Sequence, residues 1–401
     1  MKKIELLAPA GDLERLKIDF LYGADAVYFG GEKYGLRANA TNFSLEEIKE
    51  ASSFAHSLGK KVYLTLNIVF HNEDMEGVFS YINDVVECGI DAFIISDPFL
   101  IHPIKEKYKE VEVHLSTQNS TTNYESILFL KKQGVDRVVL ARELSKGEIK
   151  EIIEKTKVDI EVFIHGAMCT CFSGRCALSN YVTERDANRG GCSQVCRFSF
   201  RSEEEKEFTM ATKDLNMASH IKDLIDIGVT SLKVEGRMRS IYYLAVVIGA
   251  YRKIIDAYYQ NQLTEELLKK QEEILSRVAN RETSSHYFDK EADYTDQYYT
   301  GRSEASNQDY LGQVIAYEKE EKLIKIYERN YFKVGDLVEL FTPKGEEVAF
   351  VVEKLKDKEK NEVSVANHPD EVYYIYLNTD MEVDAYSMIR LLRKKEENEI
   401  L

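Results

Sequence analysis

At 401 residues, 44% hydrophobic and 30% charged, the chain has the composition of a soluble globular protein and is longer than one hydrophobic core usually serves. Its 53 basic and 69 acidic residues leave a net charge of −16, which excludes coating nucleic acid by bulk electrostatics and leaves only a local basic patch. No apolar run approaches the roughly 20 residues that span a bilayer, and the first apolar run stops at Gly11 and Asp12, too early for a secretory signal, so a cytoplasmic chain with no membrane partner is expected.

From Ile4 to about Lys233, β-rich apolar runs alternate with helical stretches: IELLAPA, DAVYFGG, KVYLTLNIVF, DAFIIS, EVHLSTQN, DRVVLAR, DIEVFIHG and SLKVEGR. Nearly continuous apolar strands, each followed by a helix, predict a parallel sheet covered on its faces, and eight such units suggest a TIM-like (β/α)8 barrel. A doubly wound open sheet is the competing arrangement. Between the strands, Ser44 and Glu47 form a capping-box pattern and Gly59 a stop signal.

Chemistry in such barrels sits at the C-terminal ends of the strands. Polar residues gather there: Asn67, Asp97, Thr117, Gln118, Asn119, Arg142, Glu143, His165, Glu235 and Arg237. Singly, each is more commonly a turn residue or helix cap; their joint placement is what points to a site. The barrel is expected over residues 1–262, with a Cys-rich insertion at 167–200 after the seventh strand and a helix from Met238 to Gln262 closing it. A helical linker region over 263–302 follows. Short β-rich segments broken by Gly and Pro then predict a small C-terminal antiparallel β-barrel domain over 303–393, and RKKEENEI reads as a solvated tail.

Of six cysteines, Cys88 lies near the end of an amphipathic helix and reads as a buried structural thiol. The other five, Cys169, Cys171, Cys176, Cys192 and Cys196, fall within 28 residues. In a reducing compartment they are not expected to be disulfides, which leaves metal binding or catalysis. Unliganded thiols, zinc and an iron–sulfur cluster all remain open. Zinc usually takes Cys-x-x-Cys knuckles, and none occurs. Iron–sulfur ligation fits best, with Cys169, Cys176, Cys192 and Cys196 separated by six, fifteen and three residues. A radical SAM triplet is disfavoured because Phe198 and Ser199 follow Cys192-x-x-x-Cys196. HExxH, GxSxG, GxxxxGK[ST] and GxGxxG are missing, while His165, four residues before Cys169, suggests a Cys–His protease pair as a minor alternative.

Glu161 to Ser179, EVFIHGAMCTCFSGRCALS, closely resembles the signature of the collagenase-like peptidase family. Glu161, Phe163, Gly166, Ala167, Met168, Cys169, Ser173, Gly174, Cys176, Leu178 and Ser179 occupy matching places, and the likeness extends through LLAPAGDLERLK, HLSTQN, RVVLAREL, ANRGGCSQVCR and SLKVEGRMRS into FKVGDLVELFTPKG. The resemblance implies a TIM-like catalytic domain with a small C-terminal β-domain. In the tRNA-hydroxylating branch of the family it also implies an iron–sulfur cluster, 4Fe-4S, on Cys169, Cys176, Cys192 and Cys196. That branch makes 5-hydroxyuridine at the wobble position of tRNA with prephenate, rather than dioxygen, as hydroxyl donor, and a paralogous partner chain is sometimes present. Cys171 has no counterpart in this scheme.

On that reading Arg142 and Arg237 are expected to clamp the carboxylates of prephenate, Asn67, Gln118 and Asn119 to bind substrate, and His165 and Glu235 to act as acid and base. Arg189, Arg197, Arg201 and Arg239 supply positive charge for tRNA, whose uridine must be unstacked to be reached. A peptidase, as the family's older label has it, and a cluster-bearing hydroxylase of small molecules or an assembly partner are the alternatives.

Overall fold

A computed structural model describes residues 3–36, 42–278, 281–298 and 309–392. The tail read from Arg393 onward and the boundary at 303 lie outside the described residues.

The barrel strands are β1 (Glu5–Pro9), β2 (Ala26–Gly30), β3 (Lys61–Leu66), β4 (Ala92–Ile95), β5 (Glu112–Leu115), β6 (Arg137–Val139), β7 (Asp159–Gly166) and β8 (Ser231–Val234). Each runs parallel to its neighbours in chain order, and β8 pairs with both β7 (Ser231 opposite Glu161) and β1 (Leu232 opposite Leu6). That double pairing closes the sheet, which decides for the barrel over the open sheet. Ser44 caps the helix Leu45–Ser57 through the expected box with Glu47, and Ser145 with Glu148 caps Lys146–Thr156 likewise.

The barrel's interior is not purely apolar. Arg137 Nη1 lies 2.5 Å from Glu5 and 3.1 Å from Glu161, and Lys233 Nζ lies 2.8 Å from Glu161. Burial alone pushes the Glu161 carboxyl up, but Lys233 and Arg137 outweigh it and hold it down to about 2. Two cations against two carboxylates leave this layer neutral, the condition under which buried charge is tolerated.

The helix Ile241–Tyr259 is buried along most of its length, because it packs on the barrel, on the helix Glu265–Val278 and on the C-terminal domain at once. Of the stretch read as a helical linker, Glu265–Val278 buries Ile274, Leu275 and Val278 in the barrel's core cluster, and Thr283–Ser284 pairs with Asp214–Asn216 beside β7. The C-terminal domain is an antiparallel eight-stranded sheet around its own core of Leu311, Val314, Ile324, Ile326, Val338, Leu340 and Ile389. Tyr242 stacks on Tyr310 across the two domains at 4.5 Å, and Lys253 and Lys270 both reach Glu347. Among the described residues, no helix is long and apolar enough to cross a membrane.

Candidate functional site at the barrel mouth

Gly166 ends β7 with φ +106°, and a Cβ there would lie 2.3 Å from the Glu235 carbonyl oxygen, so only glycine turns the chain out of the barrel at this point. The following insertion folds back over the mouth and is pinned by polar contacts. Glu143 accepts from the Ser173 amide (2.6 Å) and hydroxyl (2.5 Å), holding the turn Phe172–Gly174, where Ser173 itself has φ +47°. Asn188 grips Cys176 on both sides, accepting from its amide at 3.1 Å and donating to its carbonyl at 2.8 Å. The Met210 amide donates to Cys196 O at 2.9 Å and the Thr212 hydroxyl to Met168 O at 3.1 Å, tying the insertion to the segment that leads back to β8.

Between barrel and insertion lies a cavity of about 270 Å³. Its barrel side carries Tyr28, Asn67, Gln118, Arg142, Phe163, Lys233, Glu235 and Arg237; its insertion side carries the thiols of Cys169, Cys171, Cys176, Cys192 and Cys196. All five thiols are unpaired. Burial pushes the thiols of Cys169 and Cys196 up, with Arg142 opposing at Cys169 and Thr170 and Arg197 at Cys196. Cys171 is pushed up to about 12, by burial first and then by its hydrogen bond to Cys176 and the other thiols nearby. Cys169 lines the cavity and is exposed there. Raised in this way, the thiols of Cys169, Cys171 and Cys196 are not activated nucleophiles. Among the described residues, no three His, Cys, Asp or Glu side chains converge on a single-ion site.

Of the residues expected from sequence, Asn67, Gln118, Arg142, Arg197, Glu235 and Arg237 line this cavity with Cys169, Cys176, Cys192 and Cys196. Arg142 lies 3.9 Å over the Phe163 ring and donates to Ala167 O at 2.7 Å. Arg237 donates to Leu36 O at 3.1 Å and to Asn42. Gly30 is what admits Arg237, since a Cβ there would stand 2.5 Å from its Nη1. Glu235 accepts from the Tyr28 hydroxyl at 3.1 Å.

Five expected residues lie off the cavity wall. His165 is buried behind the barrel, with Nδ1 3.1 Å from the Tyr251 hydroxyl, and burial, with Arg239 adding to it, pushes it down to about 3. The cause is a β-bulge: Phe163 faces Lys233 but His165 faces Val234, so one extra residue reverses the alternation that would turn His165 inward with Glu161 and Phe163. Asn119 is 3.5 Å from Ser96 O and accepts from Thr121 at 3.3 Å. Arg189 pairs with Asp74 at 3.0 Å and donates to Val69 O at 2.8 Å, so its fork is spent inside the protein. Arg239 lies 3.5 Å from Asp214 and over the Tyr243 ring, while Arg201 is an exposed neighbour of Glu207.

Tyr28, Phe163 and Lys233 were hidden in runs read as apolar strands. The lysine inside SLKVEGR was the one visible signal, a charge on a strand with nowhere to go but the barrel interior.

A closed (β/α)8 barrel whose mouth is roofed by a thiol-bearing insertion, followed by an antiparallel sheet domain, defines a distinct class of protein. The model of peptidase family U32 matches residues 11–298 and that of the peptidase family U32 C-terminal domain matches 306–390. The chain belongs to peptidase family U32. Among its relatives, the tRNA hydroxylation protein P1 of Bacillus subtilis is 42% identical over 402 residues, 97% of this chain and 95% of that one. The 23S rRNA 5-hydroxycytidine C2501 synthase of Escherichia coli is 37% identical over 267 residues, 65% of this chain and 40% of that one. A collagenase of Porphyromonas gingivalis is 34% identical over 336 residues, 78% of this chain and 80% of that one.

Proposed function

We propose that this protein hydroxylates RNA, converting the wobble uridine of tRNA to 5-hydroxyuridine, with an iron–sulfur cluster held at the barrel mouth. The observation that carries the reading is the shared cavity: five unpaired thiols face two arginines and a glutamate across a space of about 270 Å³. The likeness to a relative named for tRNA hydroxylation supports it. Cys169, Cys176, Cys192 and Cys196 would hold the cluster, with Cys171, hydrogen-bonded to Cys176, a fifth thiol beside them. Bound there, a cluster supplies electron transfer or Lewis acidity to the chemistry.

The chain's own groups have separable tasks. Arg142 and Arg237 present guanidinium groups to the cavity and suit the two carboxylates of prephenate as hydroxyl donor. Glu235, which accepts from the Tyr28 hydroxyl, would take the C5 proton once the C5–O bond has formed and the donor's C–O bond has broken with its electron pair left on the donor. Phe163 and Tyr28 wall the barrel side of the cavity. A peptidase built on a Cys–His pair lacks its base here, because His165 is turned away from the thiols.

Nucleoside mass spectrometry of tRNA from a strain lacking the gene tests the proposal. Loss of 5-hydroxyuridine, restored by the wild type and not by Glu235→Gln, is the expected result. An unchanged nucleoside profile in the deletion strain would overturn it.

A further inference from the structure

The insertion that roofs the cavity differs in charge from the rest of the molecule. Residues 167–201 contain five arginines, no lysine, and only Glu184 and Asp186 as acids, a formal net +3 within a chain of −16, of which Arg189 is met by Asp74 from outside the insertion. Three aromatic side chains on the same insertion stand in solvent: Phe172 at 52% exposure, Tyr181 at 87% and Phe198 at 44%. Each adjoins the cavity wall. Phe172 lies between Cys171 and Ser173, Phe198 follows Arg197, and Tyr181 sits on the helix Leu178–Thr183, which begins with the wall residues Leu178 and Ser179 and packs on the turn Val195–Arg197. Arg175 and Arg185 are exposed on the same segment.

Exposed aromatics on one positively charged insertion contribute nothing to the core, and together they match one kind of partner. Single-stranded RNA offers bases with open faces for stacking and phosphates for arginine, whereas a duplex keeps its base faces stacked away. We propose that Phe172, Tyr181 and Phe198, with Arg175, Arg185 and Arg197, form a stacking platform for the single-stranded nucleotides flanking the base that enters the cavity. This rests on the RNA reading above and deepens it. The platform lies on the element that carries the thiols, so docking the loop and presenting the base to the reaction centre are one event. The strongly acidic remainder of the surface then confines RNA to this face.

The test uses the full-length protein, a uridine-bearing RNA stem-loop and a blunt duplex of the same stem. Titrations compare the wild type with Tyr181→Ala, Phe198→Ala and Tyr181→Phe, alongside sedimentation of each protein without RNA. The platform predicts that the stem-loop binds more tightly than the duplex, that each alanine variant weakens stem-loop binding about tenfold, and that Tyr181→Phe preserves it. Wild-type binding of the stem-loop with both alanine variants unchanged would overturn the platform and leave the RNA reading standing. No binding of either RNA by the wild type, with tRNA hydroxylation intact in the deletion strain, would overturn both. A change in the free protein's mass on Tyr181→Ala would assign the surface to a protein partner and overturn the platform.

Discussion

His165 and Glu235 leave adjacent strands at the same level of the barrel, and one bulge sends them to opposite sides of its wall. Their variants should therefore separate. Glu235→Gln should abolish 5-hydroxyuridine formation while the fold is retained, and His165→Gln should preserve activity, both read by nucleoside analysis of complemented strains. The histidine should instead be felt in stability. Unfolded, it takes up a proton near its ordinary 6.5; folded, burial holds it down to about 3. Between those values the unfolded chain binds more protons, so stability falls as pH drops through the window, by at most about 1.4 kcal/mol per pH unit. Urea unfolding from pH 7 to pH 3 should show a shallower pH dependence in His165→Gln than in the wild type. Gly30→Ala makes a third residue-scale test: with Arg237 pressed on this α-carbon, the variant should fold yet lose hydroxylation, as a Cβ would displace the guanidinium from the cavity.

At the scale of elements, the eight strand–helix units were legible because buried parallel strands read as apolar runs and helices announce their ends, as Ser44, Glu47 and Ser145 do. The place of the thiols above the mouth followed from the same pattern. The bulge in β7 was not legible, since Ile164 and His165 continue the strand's composition and only the pairing with β8 shows the extra residue. Nor were the tasks of single arginines: Arg189 and Arg197 look alike in sequence, but Arg189 is committed to Asp74 while Arg197 lines the cavity. The ionic layer inside the barrel was equally hidden, because it is assembled from β1, β6, β7 and β8, which lie far apart in the chain. It is also fragile. Lys233→Met leaves Glu161 buried with one partner fewer and should cost about 3 to 5 kcal/mol in urea unfolding, far more than an exposed lysine change.

For the whole molecule, barrel and sheet domain are joined by an aromatic stack, Tyr242 on Tyr310, and by the lysine pair on Glu347, so they should unfold as a unit. Combining Tyr242→Ala with Glu347→Ala should split the thermal transition seen by calorimetry in two. The arrangement leaves the barrel mouth as the place where thiols, arginines and Glu235 meet, under a positively charged roof on an acidic body. The proposed hydroxylation depends on those thiols holding iron. Iron and acid-labile sulfide should be assayed in protein purified without oxygen, for the wild type, for Cys169→Ser, Cys176→Ser, Cys192→Ser and Cys196→Ser, and for Cys88→Ser, which lies off the cavity. A brown wild type and a brown Cys88→Ser are expected, with iron and sulfide in equal amounts, and loss of both in each of the four cavity variants. A colourless wild type, carrying zinc or no metal, would contradict that proposal.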